Sequence, residues 1–259
     1  MSRRERQSNE GRAPEADEPE PASWLTPVFV LITLGLFGGL AWWALNWPDR
    51  SILGLGATPV AGRNTPRPPT QIGIIAGHNR LKTLANGDVV RDLEGPFDTG
   101  ATCDDETAIE ANITLDTAQR VAAVLRQQDK LDVELLGEFD PRLKGYYGAA
   151  LVSLHADSCI KGFSGFKVAR LIESAVPDVE DRLVNCLRER YPAATGLSEN
   201  RNTITPDMQE YHAFREIALT TPGAIIELGF LREDQALLKQ GDLPVQGVVD
   251  GIRCFLGKK

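Results

Sequence analysis

The hydrophobic positions of this 259-residue chain fall into three patterns. Strand-like runs at residues 71–77, 131–137, 149–155, 165–171 and 224–228, broken by charges only at Asp132, Glu134, Lys167, Arg170 and Glu227, predict the strands of a buried, mostly parallel sheet. Between them Ile109, Ile113, Val121, Val124 and Leu125 recur at helical spacing, and further helices are expected over 179–190, 234–239 and the end of the chain. Strands alternating with helices give an α/β fold, with a mostly parallel central sheet and helices on both faces. Asp104 and Asp105, just ahead of the first helix, are placed to cap it.

The third pattern lies near the N-terminus. Between Pro21 and Pro48 there is no charged residue, and Trp24 stands at one end of the apolar stretch with Trp42, Trp43 and Trp47 at the other. A bilayer core needs about 20 apolar residues, and tryptophans gather at its interfaces. The run is longer than the ~7–15 residues of a signal-peptide core. Residues 23–48 are therefore read as a single retained transmembrane helix. Residues 1–22, rich in Glu, Arg, Pro, Ala and Ser, read as a disordered cytoplasmic tail. Residues 49–69, with Gly54, Gly56, Gly62, Pro59, Pro66, Pro68 and Pro69, read as a linker. Residues 70–259 remain as one domain. Arg3, Arg4, Arg6 and Arg12 before the span and Arg50, Arg63 and Arg67 after it are too evenly divided to set its orientation.

Composition narrows the partners. A net charge of −8 argues against nucleic acid and leaves no basic surface for an anionic polymer. The candidate chemistry lies at the strand ends. Two apolar runs lead straight into His78 and His155, a third carries Glu227, and Glu110 opens the first helical pattern. Open α/β sheets bind ligands at the carboxyl ends of their strands. A lone histidine there is an ordinary structural residue, and a lone Glu227 is an ordinary buried salt-bridge partner. Two imidazoles with two carboxylates suit a catalytic zinc held by three protein ligands, with the fourth position open and a separate carboxylate to move protons. The chain has neither His-Glu-x-x-His nor Gly-x-Ser-x-Gly, the marks of competing hydrolases. His212, among Glu210, Tyr211, Arg215 and Glu216, reads as a rim residue outside the ligand set, with substrate contact as the alternative.

From Gln71 to the C-terminus the chain resembles the zinc-dependent N-acetylmuramoyl-L-alanine amidases of bacterial cell-wall turnover. The motifs that carry the resemblance are Gly77-His78, Glu110 with Ile113 and Leu115, Ser153-Leu154-His155-Ala156, and Glu227-Leu228-Gly229-Phe230 after Pro222. The resemblance implies that His78, Glu110 and His155 hold Zn2+ and that Glu227 is the general base. The substrate would be the lactyl amide between N-acetylmuramic acid and L-alanine in peptidoglycan. Peptidoglycan lies outside the cytoplasmic membrane, so the catalytic domain is expected on that side of a single-pass anchor, with an activator protein as a further possible partner. Two other readings stay open: a catalytically silent muropeptide-binding sensor, and a zinc peptidase acting on stem peptides.

The chain also departs from the family. Ile75 stands where members carry an Asp three residues before the first histidine, and Asn79 and Arg80 replace glycines. The outer-shell partner of His78 is accordingly expected to be missing, with Asp157, in place of the usual Asn, taking over part of its role. The four cysteines are even in number. Cys103 ahead of Glu110 and Cys159 after His155 would lie at the mouth of the site, and Cys186 and Cys254 on helices. The proposed pairs are Cys103–Cys159 and Cys186–Cys254, with other connectivities and reduced thiols open.

Overall fold

The computed structural model describes residues 70–94, 98–104 and 107–258. The tail, anchor and linker expected over 1–22, 23–48 and 49–69 lie outside the described residues. Among the described residues, no helix is long and apolar enough to cross a membrane. The strands are β1 (Gln71–Ala76), β2 (Leu81–Thr83), β3 (Val89–Arg91), β4 (Asp132–Gly137), β5 (Ala150–Asp157), β6 (Lys167–Ala169) and β7 (Gly223–Phe230). The helices are α1 (Glu110–Gln127), α2 (Pro177–Thr195), α3 (Pro206–Gln209), α4 (His212–Glu216), α5 (Gln235–Gln240) and α6 (Asp242–Phe255).

Each of the five apolar runs becomes a strand of one sheet, ordered β4-β1-β5-β7-β6. The first four are parallel, and β6 runs antiparallel to β7 at the edge. Because side chains alternate across a strand, each strand feeds two cores. Ile72, Ile74, Val152, Leu154, Ala224 and Ile226 pack under α1, α2 and α6. Ile75, Leu151 and Ile225 face the other way, onto Met208, Tyr211 and Phe214 in and beside α3 and α4. Helices thus cover both faces, the three long ones with α5 on one side and α3 and α4 on the other. Ser153, His155 and Glu227 fall on the short-helix face by the same alternation.

The long helices are tied closely. Tyr191 of α2 is fully buried, and its hydroxyl donates to Leu228 O at 2.6 Å. The absence of side chains at Gly247 and Gly251 lets α6 approach α2, since a Cβ there would lie 2.8 Å from Tyr191 and 2.6 Å from Leu187. A disulfide between Cys186 and Cys254 joins the same pair of helices.

Three local expectations change. Residues 165–171 yield only the three-residue antiparallel strand β6. The β2–β3 hairpin was not anticipated, although Asn86-Gly87 at its tip is a hairpin turn signal. Neither Asp104 nor Asp105 occupies the N-cap of α1. The capping position is Ile109, with no side-chain cap, and Asp105 lies outside the described residues. Main-chain carbonyls do the work instead: Glu110 N donates to Ala101 O at 2.9 Å and Ala111 N to Thr99 O at 3.1 Å. The preceding loop is folded back against the helix start by the Thr102–Ile109 bridge, which brings those carbonyls into place.

Candidate metal centre

β1 and β5 are neighbours, and both deliver a histidine at their carboxyl ends. After β1 the chain turns at His78, whose φ of 58° is left-handed. Glu110, the first residue of α1, is 4% exposed and sits between the two rings. Its Oε1 is 3.4 Å from His78 Nε2 and 3.1 Å from His155 Nδ1. Main-chain donors hold the carboxylate: Ala156 N reaches Oε1 at 3.0 Å and Ala101 N reaches Oε2 at 2.8 Å. Two glycines leave the space. A Cβ on Gly77 would stand 2.5 Å from the His155 ring, and one on Gly100 2.5 Å from Glu110 Oε2. Gly100 is also at φ 62°, which a side chain would strain. His78, Glu110 and His155 thus offer two nitrogens and an oxygen within 4.8 Å of one another.

The expected gap around His78 is not there. Its Nδ1 meets Asp98 Oδ2 at 2.8 Å, and Asp98 Oδ1 accepts from Gly100 N at 2.9 Å. Burial pushes the Asp98 carboxyl up, but the Gly100 amide and His78 outweigh it and hold it below the usual range. Asp157 does not take this part, because it is ion-paired with the buried Lys167. Asn79 is 1% exposed and ties the end of β1 to α1. Its amide donates to Gly77 O at 2.8 Å and to Ala111 O at 2.9 Å. The Cys103–Cys159 disulfide joins the loop before α1 to the chain after β5. Both expected cysteine pairs are present, so no thiolate is available as an extra ligand.

Glu227 is the register partner of His155 across β5 and β7. Its Oε2 is buried and, among the described residues, has no hydrogen-bond partner. Burial raises the Glu227 carboxyl to about 7 against the pull of the His155 charge. His155 moves oppositely: burial lowers it, but the Glu110 hydrogen bond and the Glu227 charge prevail and raise it to about 9. A third carboxylate, Glu138, lies just past β4. Burial would raise it, yet the His212 hydrogen bond and the charges of His155 and His78 bring it down to about 2. A cavity of about 570 Å³, lined by His78, Glu138, His155, Lys167, Tyr211 and Glu227 among others, opens beside these groups. Carboxylates outnumber the compensating cations, one of them an orphan, and two nitrogens face one carboxylate oxygen. That donor set fits a divalent zinc-like cation with one side open to the cavity.

The chain superposes on the catalytic domain of CwlV, an N-acetylmuramoyl-L-alanine amidase from Bacillus (Paenibacillus) polymyxa var. colistinus. The TM-score is 0.50 at 21% identity, over 73% of this chain and 99% of that one. This is the fold of the N-acetylmuramoyl-L-alanine amidases. An amidase from Clostridium difficile 630 gives a TM-score of 0.52 at 18% identity, over 74% and 100% of the two chains. The CwlD amidase of Clostridioides difficile, solved in complex with the GerS lipoprotein, gives 0.51 at 14%, over 73% and 98%. No protein-family model and no curated protein sequence matches the chain.

Within this amidase fold the four site residues named from sequence fall in one place, with Glu227 beside the three-residue cluster and outside it. His212 is not in the cluster either. It lines the cavity, stacks on Phe139 with ring centroids 4.6 Å apart, and faces Glu138 Oε1 at 3.4 Å. Asp98, Glu138 and Tyr211 were missed. Glu138 follows only the short stretch Leu135-Leu136-Gly137, a weaker form of the signal that marked the two histidines. Asp98 and Tyr211 sit in irregular segments with no such signal.

Proposed function

We propose that this chain is a zinc-dependent amidase that hydrolyses the bond between N-acetylmuramic acid and L-alanine in peptidoglycan. The observation that carries the reading is the convergence of His78, Glu110 and His155 beside the unpartnered buried oxygen of Glu227, in a fold shared with such amidases. Zinc held by His78 Nε2, the Glu110 carboxylate and His155 Nδ1 would acidify water and polarise the scissile lactyl carbonyl. Glu227 Oε2 takes the proton from the attacking water and hands it to the departing amine of L-alanine. A carboxyl whose affinity for protons is matched to neutral pH serves both transfers, accepting and then donating.

Product analysis on purified sacculi, with the full-length chain in detergent, tests this. The expected products are glycan strands with intact muramic acid and free stems beginning with L-alanine. Cuts within the stems would make it a peptidase, and no release would make it a silent binder. Membrane anchoring by residues 23–48, with the domain outside, belongs to the same proposal and rests on the uncharged span bounded by tryptophans. The full-length protein should then stay with membranes through a carbonate wash. An activator protein is a proposed partner, in keeping with the CwlD structure, which holds a lipoprotein.

A further inference from the structure

Tyr211 and Glu138 form a hydrogen-bonded chain behind the candidate ligands. The Tyr211 hydroxyl lies 3.3 Å from Glu138 Oε1, 3.1 Å from Ser153 Oγ and 3.3 Å from His155 Nε2. All four side chains are buried. Glu138 Oε2 already accepts from a main-chain amide, and the Tyr211 hydroxyl donates its proton to Oε1. The phenolic oxygen is then left with lone pairs, and its two other neighbours must donate to it. Ser153 does so through its hydroxyl, and His155 through an Nε2 that carries hydrogen. That leaves His155 Nδ1 as the nitrogen turned to Glu110, the one already placed in the cluster. The other oxygen of Glu138 accepts from His78 N at 2.5 Å, bracing the residue that sits at φ 58°.

We infer that Glu138 is a positioning residue for both histidines, fixing the tautomer of His155 through Tyr211 and the backbone turn of His78 directly. The inference rests on reading the cluster as a zinc centre. It also accounts for Ile75. In the sheet Ile75 pairs with Leu136 and its side chain belongs to the apolar core of the short-helix face. An outer carboxylate therefore arrives from the end of β4, one strand away, with Asp98 serving His78 Nδ1. Metal-ligating histidines depend on such outer partners, and losing one typically costs about 10- to 100-fold in affinity.

The test measures zinc affinity of the full-length chain by chelator competition for wild type, Tyr211→Phe, Glu138→Gln and the double variant. Each single change should weaken binding about 10- to 100-fold, and the double variant should be no worse than about the larger single loss, because one relay is being cut twice. In zinc-loaded wild type, long-range proton–nitrogen spectra should show His155 Nε2 bearing a hydrogen shielded from exchange. Tyr211→Phe should lose that protection while its circular dichroism stays native. Tyr211→Phe deletes one oxygen and so remains informative even where Glu138→Gln does not fold. Wild-type affinity in the folded variants, or losses that simply add, would overturn the inference and leave the zinc reading standing. A wild-type chain that binds no zinc would overturn both.

Discussion

Replacing Glu227 with Gln removes a charge and almost no volume, so its consequences for stability and for turnover separate cleanly. The Glu227 carboxyl is raised from 4.5 to about 7 by burial. Between those values the folded state keeps a proton that the unfolded chain has released. Stability therefore falls as pH rises through that window, and the loss is complete above about pH 7. A rise of that size corresponds to about 3 kcal/mol. Gln escapes the loss. The metal-free Gln variant should match wild type near pH 4 and exceed it by up to about 3 kcal/mol at pH 8. This is an upper figure, because His155 gives up one favourable neighbour while keeping Glu110. For a domain of this size that is a Tm higher by about 6–12 °C. Catalysis should go the other way, with kcat lower by about 10²–10⁴-fold and zinc content unchanged. The assays are thermal melts of EDTA-treated protein at both pH values, elemental analysis, and turnover on sacculi. A variant that loses its zinc, hydrolyses at the wild-type rate, or gains no stability at pH 8 relative to pH 4 would refute the role given to this side chain.

Glu110→Gln, in contrast, should lower zinc occupancy together with activity, which elemental analysis after dialysis reads directly; full occupancy would remove Glu110 from the ligand set. Zinc must displace the proton that His155 holds up to about pH 9. Apparent affinity should therefore fall about tenfold per pH unit below that value, with about one proton released per zinc, and titration calorimetry in buffers of different ionisation enthalpy would detect its absence. Gly100→Ala places a Cβ against Glu110 Oε2 at a left-handed φ. It should cost about 1–3 kcal/mol of stability and weaken zinc binding as well, and a variant that binds and melts like wild type would show that the loop yields freely.

The strand ends were legible because a parallel strand buried on both faces is apolar until it leaves the sheet. A ligand-type residue at the end of such a run then marks the carboxyl edge where ligands bind, which is how His78 and His155 stood out in the sequence, while Glu227 stood out as a carboxylate inside an apolar run. Glu138 obeys a weaker form of the same rule after Leu135-Leu136-Gly137, but without its neighbours it reads as an ordinary loop acid. The cysteine pairs followed from placing Cys103 and Cys159 beside the site and Cys186 and Cys254 on helices, since a disulfide needs only proximity. Partners recruited from irregular segments were not legible. Asp98 is 20 residues from His78 in sequence and reaches it on the loop that leads into α1. Tyr211 reaches His155 because the short-helix face folds over β5. The outer carboxylate expected at position 75 illustrates the difference. Sequence specifies that an ionisable ligand sits at a strand end, because burial and periodicity are local. Which strand or loop supplies the group behind it is decided only when the sheet assembles, since any neighbour within hydrogen-bond reach can fill that place.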